Sequence, residues 1–313
     1  MKMMSLIVPC YNEEPTVPIF FDAVEKVFAN NPDAFKDVQH EYLFINDGSS
    51  DATLTEFRKL HTAHPKLVHY LSFSRNFGKE AGLAAGLQHA KGDYVAVMDV
   101  DLQDPPELLP QMLSLLESGD YDCVGTMRED RKSEPAIRSF LSRSFYTVIN
   151  KVSKVQIIPN ARDYRLMTRQ MVDAILELPE YNRFSKGIFN WVGFRTTYLK
   201  FKNAPRAAGE THWSFWQLFN YSIEAIVDFS DVPLKIATFT GGLFAFLSII
   251  GMIIVIARKL LLGNSVSGWA SVVTIMLFIG GIQLFCLGII GNYIGKIYLE
   301  TKHRPQYIIQ EQN

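Results

Sequence analysis

Several features that mark other classes of protein are missing from this 313-residue sequence. There are only three cysteines, an odd number spread far apart in the chain, which indicates neither a disulfide framework nor a thiolate zinc site and fits a reducing compartment. The formal net charge is -1, so nothing suggests nucleic acid as a partner. No G-x-G-x-x-G follows the first predicted strand, and no G-x-x-x-x-G-K-[ST] occurs anywhere. A dehydrogenase and a P-loop nucleotidase are therefore disfavoured.

Charged residues are also absent from two long stretches near the C-terminus, residues 236–257 and 266–295. Each exceeds the roughly 20 residues that a helix needs to cross a bilayer core. A pair of buried core helices is the alternative, but a soluble protein has little use for two such unbroken runs near its end. The sequence therefore predicts two transmembrane helices, with a tail at residues 301–313.

The orientation of these spans follows from the N-terminus and from the charges that flank them. The first apolar stretch is too short for a signal peptide, so we expect the large N-terminal domain to stay in the cytosol. Two spans then return the tail to the same side, where Lys296, Lys302 and Arg304 agree with the positive-inside tendency. Arg258 and Lys259, between the spans, do not agree with it.

The first 130 residues alternate β-branched runs with helical patterns. Five segments read as strands: MSLIVPC, EYLFIND, LVHYLSF, DYVAVMD and YDCVGTM. Helices are predicted at about residues 15–28, 52–64, 79–90 and 106–118. This order predicts an α/β domain over residues 1–230, with a mostly parallel sheet, helices on both faces, and ligands at the carboxyl ends of the strands.

Polar clusters follow four of these strands: PCYNEE, NDGSSD, SRNFGKE and DVDLQDPPE. In the last cluster Asp99 and Asp101 could meet at one ion, and hard cations such as Mg²⁺ or Mn²⁺ take oxygen ligands. An acidic surface turn is the alternative, because turns are rich in Asp. Asp104, just before Pro105 and Pro106, is expected to cap the next helix.

Two further helices are predicted between the sheet and the first span. Residues 133–155 place apolar residues at helical spacing with basic residues among them, which fits an ordinary surface helix or one lying at the membrane face, where it would meet lipid phosphates. A helix at about residues 215–229 leads almost directly into the first span.

These segments together resemble a known family. IVPCYNEE, INDGSSDAT, SRNFGKEAGLAAGL, DVDLQDPPE, DYRLMTR, RAAGETHW and the tail from GGIQLFCLG to RPQYI are similar to the glycosyltransferase family 2 enzymes that load sugars onto polyprenyl phosphates. The bactoprenol glucosyltransferases, relatives of the dolichol-phosphate mannose synthases, are the most similar type. The resemblance covers nearly the whole chain and implies a GT-A type sheet followed by a two-helix transmembrane hairpin, residues 231–300.

The resemblance assigns the nucleotide to the first two loops and to residues near the third strand. It implies contacts from Pro9, Tyr11, Glu13 and Asp47 and, as diphosphate contacts, Arg75, Lys79 and Arg206. The carboxylate of Asp47 can accept a hydrogen bond from the uracil N3–H, which cytosine lacks. The alternative is that Asp47 only stabilises the turn and does not contact the nucleotide. Arg75 and Lys79 could equally be solvated charges at a helix start. Relatives often differ at Asn46, His212 and Asn292.

For the reaction centre, the resemblance implies that Asp99, Asp101 and Gln103 hold the metal and the diphosphate. Asp163 in DYRL matches the acid near the reacting atoms, with a simple ion pair to Arg162 or Arg165 as the alternative. The acceptor phosphate would be bound by three further residues: Arg128, Arg138 and Ser142. A lipid phosphate is largely dianionic at neutral pH, so it needs positioning by cations more than a strong base.

The expected function is transfer of one hexose, with inversion, from a UDP-sugar to undecaprenyl phosphate on the cytosolic face of the cell membrane. Glucose is the expected sugar, with N-acetylglucosamine or galactose as alternatives. A homo-oligomer, a flippase and a downstream glycosyltransferase are possible partners. A processive synthase is disfavoured because the chain lacks Q-x-x-R-W and further spans. The non-enzymatic alternative is a membrane scaffold that binds a nucleotide sugar.

Overall fold

The computed structural model describes residues 1–129, 150, 158–178, 180–201, 230, 232–262 and 268–313. The predicted helices at 133–155 and 215–229 lie almost entirely outside these residues. The first half of the chain contains these elements: β1 (Lys2–Cys10), α1 (Thr16–Asn30), β2 (Val38–Asn46), α2 (Thr53–Ala63), β3 (Val68–Phe73), α3 (Lys79–His89), β4 (Tyr94–Val97), a 3-10 turn (Pro106–Leu108), α4 (Leu109–Glu117) and β5 (Cys123–Arg128). All five predicted strands and all four predicted helices of this part are confirmed.

The second half of the chain adds three strands and four helices to the described structure. They are β6 (Ala161–Thr168), α5 (Arg169–Leu176), α6 (Ser185–Trp191), β7 (Thr196–Phe201), α7 (Val232–Leu262), α8 (Trp269–Thr301) and β8 (Ile309–Gln312). The long helices α7 and α8 contain the predicted spans, apart from residues 266–268. Strands β6, β7 and β8 were not predicted from the sequence.

The strands form one eight-stranded sheet in the order β7-β5-β6-β4-β1-β2-β3-β8. Strands β1 to β4 are parallel, as is the β5–β7 pair, whereas β6 runs antiparallel to both β4 and β5. Helices α1, α2 and α4 pack on one face through residues such as Phe20, Phe57 and Met112. Helices α3, α5 and α6 cover the other face through residues such as Leu83 and Ile188. The predicted α/β sheet with helices on both faces is confirmed.

Helices α7 and α8 form a hairpin outside this core. Both are long and apolar enough to cross a membrane, and their most apolar windows are only 6% and 0% buried, unlike a core helix. The two helices touch where the rings of Phe244 and Phe278 lie 5.6 Å apart. Near the base of the hairpin, the Tyr293 hydroxyl donates to the Ser230 carbonyl at 2.6 Å. The exposed apolar surface indicates association with a membrane.

After α8 the chain returns to the sheet. Strand β8 pairs antiparallel with the edge strand β3, and the Tyr307 ring stacks on Phe73 with centroids 4.9 Å apart. Glu311 forms an ion pair with Arg58 and accepts a hydrogen bond from the Tyr70 hydroxyl at 2.8 Å. The tail therefore lies on the same side of the hairpin as the sheet, as the sequence predicted.

Candidate active site

The loops after β1 and β2 are joined by hydrogen bonds. The backbone N–H of Asn12 donates to Ser49 Oγ at 2.9 Å, and Asn12 Oδ1 accepts from the N–H of Ser50 at 2.8 Å. Asn12 has a positive φ of 55°, a conformation that Asn tolerates better than most residues. The first two polar clusters therefore meet, as expected for loops that follow adjacent parallel strands.

Asp47 connects the second loop to the third. Its side chain is buried and accepts from the backbone N–H of Phe77 at 2.7 Å and of Gly78 at 3.0 Å. Burial raises the pKa of Asp47, and these two amides act in the opposite direction. Gly48 has a φ of 64°, and a Cβ there would lie 2.2 Å from the Arg75 carbonyl carbon. Only glycine allows these two loops to approach so closely.

Lys79, the first residue of α3, connects the third loop to the fourth. Its Nζ donates to Asp99 Oδ1 at 2.7 Å and to Asp163 Oδ2 at 2.6 Å. Desolvation of the ammonium end opposes the charged form of Lys79, but the Asp163 and Asp99 carboxylates outweigh it and raise the pKa. Asp163 is desolvated as well, yet Lys79 and Lys186 hold its pKa well below the ordinary value. Lys79 and Asp163 are therefore both charged at neutral pH, and Asp99 is the third member of this cluster.

Strand β6 explains how Asp163 reaches this cluster. Val97 of β4 pairs with Arg165 of β6 in antiparallel register. Asp99 lies two residues beyond Val97, just past the end of β4, and Asp163 lies two residues before Arg165 within β6, so this register brings the two segments to the same edge of the sheet. A residue some sixty positions away in sequence thus joins the edge formed by the parallel strands.

The predicted capping role of Asp104 is wrong. Its side chain is only 2% exposed and accepts from Arg162 Nε at 2.8 Å and 3.1 Å through its two oxygens. The cap position of the turn Pro106–Leu108 is Pro105, and no side chain caps it. A carboxylate buried this deeply needs a cation, which a helix start does not supply. Arg162 also lies 3.9 Å from Asp99 Oδ2.

Asp101 and Gln103 lie in the turn between Asp99 and Asp104. Asp101 Oδ1 accepts from the backbone N–H of Gln103 at 3.1 Å, and Leu102 between them has a φ of 54°. Gln103 Oε1 accepts from Arg128 Nη2 at 3.0 Å, which brings Arg128 at the end of β5 to the same edge. Both carboxylates, Asp99 and Asp101, are partly accessible here.

The side-chain oxygens of Asp99, Asp101 and Gln103 are the candidate ligands for a divalent cation at this edge. Among the described residues there is no group of three or more His, Cys, Asp or Glu side chains that could hold a metal by themselves. Mg²⁺ commonly takes one or two carboxylates and completes its shell with substrate phosphates and water. Asp99 and Asp101 therefore fit a cation that is shared with a diphosphate, and they do not fit a site made only of protein ligands.

The structure shows fewer contacts for the remaining predicted site residues. Tyr11 is 49% exposed, and both Pro9, near the end of β1, and Glu13, in the first loop, are partly buried. The exposed Arg75 lies over the Phe77 ring, 4.1 Å from its centroid, and Nη1 donates to the Asn76 carbonyl. Other predicted residues lie outside the described part of the chain: Arg138, Ser142, Arg206 and His212.

Several residues at the site were not assigned a role from the sequence. Arg165 is 3% exposed, packs over the Phe189 ring at 3.7 Å and donates through Nε to the Asp163 carbonyl. Glu80, next to Lys79, accepts from the Ser185 N–H at 3.0 Å and from its hydroxyl. The DYRL segment was a signal for Arg165, but nothing in the sequence pointed to the pairing of Glu80 with α6.

Comparison with known proteins agrees with this architecture. The model of the family "Glycosyl transferase family 2" matches residues 5–176. The chain belongs to glycosyltransferase family 2. A second model, "GtrB C-terminal hairpin", matches residues 232–297, the two apolar helices. The protein is thus a glycosyltransferase with a GT-A sheet and a hairpin that indicates membrane association.

The sequences of several relatives align with almost the whole chain. The bactoprenol glucosyl transferase of Shigella phage SfV is 42% identical, over 99% of this chain and 98% of its own. A prophage bactoprenol glucosyl transferase homolog of Escherichia coli is 42% identical over 98% of both chains. An uncharacterized glycosyltransferase of Synechocystis is 39% identical over 98% of this chain and 95% of its own. The predicted family is confirmed.

Proposed function

We propose that this glycosyltransferase transfers glucose from UDP-glucose to undecaprenyl phosphate, with inversion at the anomeric carbon. Two relatives that match 98% or more of the chain are named bactoprenol glucosyl transferase or a homolog of it, and these names support the sugar and the lipid carrier. The donor nucleotide and the inversion are the finer parts of the proposal. They rest on the chemistry of the site.

One observation carries the proposal: Lys79 bridges Asp99 and Asp163 at the edge of a sheet whose chain also carries the apolar hairpin. A cation between two carboxylates provides a charged centre where a diphosphate can leave and a lipid phosphate can attack. The return of β8 to the sheet ties the end of the hairpin to the domain that carries this centre. A lipid acceptor would then reach the site from the membrane surface.

The proposed reaction is a single displacement. An oxygen of the lipid phosphate attacks C1 of glucose, the bond from C1 to the diphosphate oxygen breaks, and UDP leaves with the electron pair. The lipid phosphate is largely dianionic at neutral pH, so no strong base is required. Asp163 stays ionised because Lys79 and Lys186 lower its pKa, and it would position Lys79 beside the departing diphosphate.

A divalent cation, Mg²⁺ or Mn²⁺, is part of the proposal. Asp99 and Asp101 would hold it together with the diphosphate, and it would supply neutralisation of the charge that grows on the leaving UDP. The Gln103 amide oxygen already accepts from Arg128, so we propose that Gln103 orients Arg128 and contributes to the metal site from that position. Lys79 provides a second cation beside the same carboxylate.

The other predicted contacts complete the two substrate sites. Nucleotide binding is assigned to Pro9, Tyr11, Glu13, Asp47, Arg75 and Arg206, and acceptor-phosphate binding to Arg128, Arg138 and Ser142. Asp47 is held by backbone amides, so its contact with uracil would use a remaining lone pair of the carboxylate. Arg128 is the member of the acceptor set whose contacts place it at the edge formed by Asp101 and Gln103.

The proposed location is the cytosolic face of the cell membrane, with two spans and the C-terminus in the cytosol. UDP-sugars are cytosolic metabolites, and the exposed apolar faces of α7 and α8 would lie in lipid. The domain limits are proposed as 1–230, 231–300 and 301–313. A homo-oligomer, a flippase and a downstream glycosyltransferase that consumes the lipid-linked sugar are the proposed partners.

A donor panel tests this proposal. Full-length protein in proteoliposomes is given undecaprenyl phosphate, Mg²⁺ or Mn²⁺, and in separate reactions UDP-glucose, UDP-galactose or UDP-N-acetylglucosamine. Mass spectrometry should detect glucosyl undecaprenyl phosphate, and the proton coupling at C1 should show a β-linkage from the α-linked donor. Product from a different sugar would reassign the donor. Calorimetric binding of a UDP-sugar without any lipid product would instead support a non-enzymatic scaffold.

A further inference from the structure

A polar groove lies where α8 leaves its apolar stretch, and its lining does not include the residues of the Lys79 cluster. Its volume is about 530 Å³. The lining includes two cations, Arg183 and Lys296, two amides, Asn182 and Asn292, and the ring of Tyr298. One wall is the turn before α6 and the other is the last part of α8, so the groove joins the catalytic domain to the hairpin.

The wall formed by the turn before α6 is fixed to the end of α8. The Glu300 carboxylate accepts from the backbone N–H of Tyr181 at 3.0 Å and of Asn182 at 3.1 Å. Arg183 is held from the other direction, because its Nη1 donates to the Leu178 carbonyl at 2.9 Å. The groove is therefore a built feature with defined walls.

Arg183 has an incomplete set of partners at this position. Its Nε is enclosed by protein and has no hydrogen-bond acceptor among the described residues. Burial lowers the pKa of Arg183, while the charges of Glu80 and Glu180 act in the opposite direction. A ligand in the groove would meet the outer nitrogens of Arg183, where an anionic oxygen would offset the cost of burying this charge.

The groove lies at the level expected for lipid headgroups. Lys296 is the first charged residue after the uncharged stretch 266–295. Ile294 and Ile297, on either side of it along α8, are 59% and 60% exposed, which suits contact with acyl chains. Basic side chains at the end of a membrane helix commonly reach the headgroup region.

We propose that this groove binds the phosphate headgroup of an anionic membrane phospholipid. The outer nitrogens of Arg183 can donate to phosphate oxygens, Lys296 adds a second positive charge, and the amides of Asn182 and Asn292 can bond to the glycerol oxygens. A soluble phosphate would leave the adjacent apolar surface of α8 uncovered, so the lipid is the favoured ligand. The bound lipid would hold the turn before α6 at the membrane surface.

Lipid titration of the full-length protein in neutral detergent tests this proposal. Phosphatidylglycerol, phosphatidylcholine and inorganic phosphate are added separately, and thermal unfolding and native mass spectrometry report binding. Phosphatidylglycerol should raise the Tm in a saturable way, whereas the other two should not. Arg183→Gln and Lys296→Gln should each weaken the apparent affinity about tenfold. Arg304→Gln, a cation near the same helix end but outside the groove, should bind as the wild type does.

Three results would overturn the assignment. One is equal phosphatidylglycerol binding by the wild type and by Arg183→Gln, with both proteins folded as judged by their Tm without lipid. Another is the same stabilisation by inorganic phosphate, which would indicate a soluble anion. The third is preferential displacement of phosphatidylglycerol by undecaprenyl phosphate, which would make the groove part of the acceptor path. Because the readout is binding, failure here is distinguishable from failure of the donor panel.

Discussion

The Lys79 ammonium nitrogen lies 2.6 Å from Asp163 Oδ2, although 84 positions separate the two residues in sequence. This contact joins the start of α3 to the antiparallel strand β6, and the second bond from Lys79 to Asp99 adds the end of β4. The side chain of Lys79 remains 45% exposed, so substrate can reach the cluster. Two carboxylates are thus held together by one cation at an accessible edge of the sheet.

The Arg162–Asp104 pair should contribute strongly to stability. Arg162→Gln leaves a carboxylate that is 2% exposed without its cation, and we expect a loss of about 3 kcal/mol in the free energy of unfolding. Burial already raises the pKa of Asp104, and without Arg162 it should rise further. The folded variant then binds a proton more readily than the unfolded chain, so its deficit should shrink as the pH falls from 7.5 to 5.

Thermal unfolding of the full-length protein checks this difference. Asp104→Asn should cost less than Arg162→Gln, because Arg162 is 23% exposed and can turn toward water. The double variant should be more stable than Arg162→Gln alone. A deficit that does not change with pH would contradict the assignment of the cost to the Asp104 charge.

The close approach at Gly48 should be required for donor binding. Gly48→Ala introduces a Cβ 2.2 Å from the Arg75 carbonyl carbon at a φ of 64°, so the loops after β2 and β3 must separate. Gly119→Ala is a matched control, because its φ is 79° and open space surrounds it. We expect UDP affinity, measured by calorimetry, to fall about tenfold in Gly48→Ala and to stay unchanged in Gly119→Ala. Equal affinities in both variants would exclude this role for the contact.

The C-terminal strand should stabilise the catalytic domain. Tyr307→Ala removes the ring that stacks on the buried Phe73 and should lower the free energy of unfolding by about 2 kcal/mol.

The contribution of Glu311 to stability depends on pH, because hydrogen bonds from Arg58 and Tyr70 lower its pKa to about 2. The stability it adds is present above the unfolded pKa of about 4.3 and is lost toward the folded value.

A comparison of wild type and Glu311→Gln by thermal unfolding at several pH values measures this dependence. The difference in Tm should be largest near pH 7 and should narrow as the pH falls to 3. Glu56→Gln, which removes an ion pair within α2, is the control for a carboxylate paired with a lysine of its own helix. A difference that grows toward acidic pH would contradict the assigned partners.

Metal removal should stop the reaction without unfolding the protein. Chelation with EDTA is expected to abolish lipid glycosylation, and Mg²⁺ or Mn²⁺ should restore it. Asp101→Asn should remove the restored activity, because it takes away one of the two carboxylates proposed to hold the cation. Asp120→Asn, an exposed acid in the turn before β5, should behave as the wild type does. Full activity in EDTA or in Asp101→Asn would exclude the metal assignment.

The parallel part of the fold follows directly from the sequence. Each of the strands β1 to β5 has a run of β-branched or aromatic residues, and the polar clusters after β1 to β4 indicated the site edge. Strand β6 was not predicted, because ARDYRLMT carries three charges and little β-branched character. Its strand conformation comes from pairing with β4 and β5 on both sides, which is a tertiary effect.

Dependence on tertiary pairing also explains which contacts of the site could not be predicted from the sequence. The sequence predicted that Asp104 caps a helix, and it left an ion pair with a neighbouring arginine as the alternative role of Asp163. In the structure Asp104 pairs with Arg162 and Asp163 pairs with Lys79, because strand β6 lies beside β4 and brings Arg162 and Asp163 to this edge. Strand β8 was missed because residues 309–312 gain their partners only after the hairpin returns the chain to β3.

The central claim is that Lys79, Asp99 and Asp163 form the reaction centre. The most direct measurement is single-turnover formation of glucosyl undecaprenyl phosphate by Asp163→Asn, alongside calorimetric binding of UDP to the same protein. We predict at least a 100-fold slower turnover with UDP affinity within about threefold of the wild type, because the change disturbs the group beside the reacting atoms. Wild-type turnover by Asp163→Asn would contradict the account.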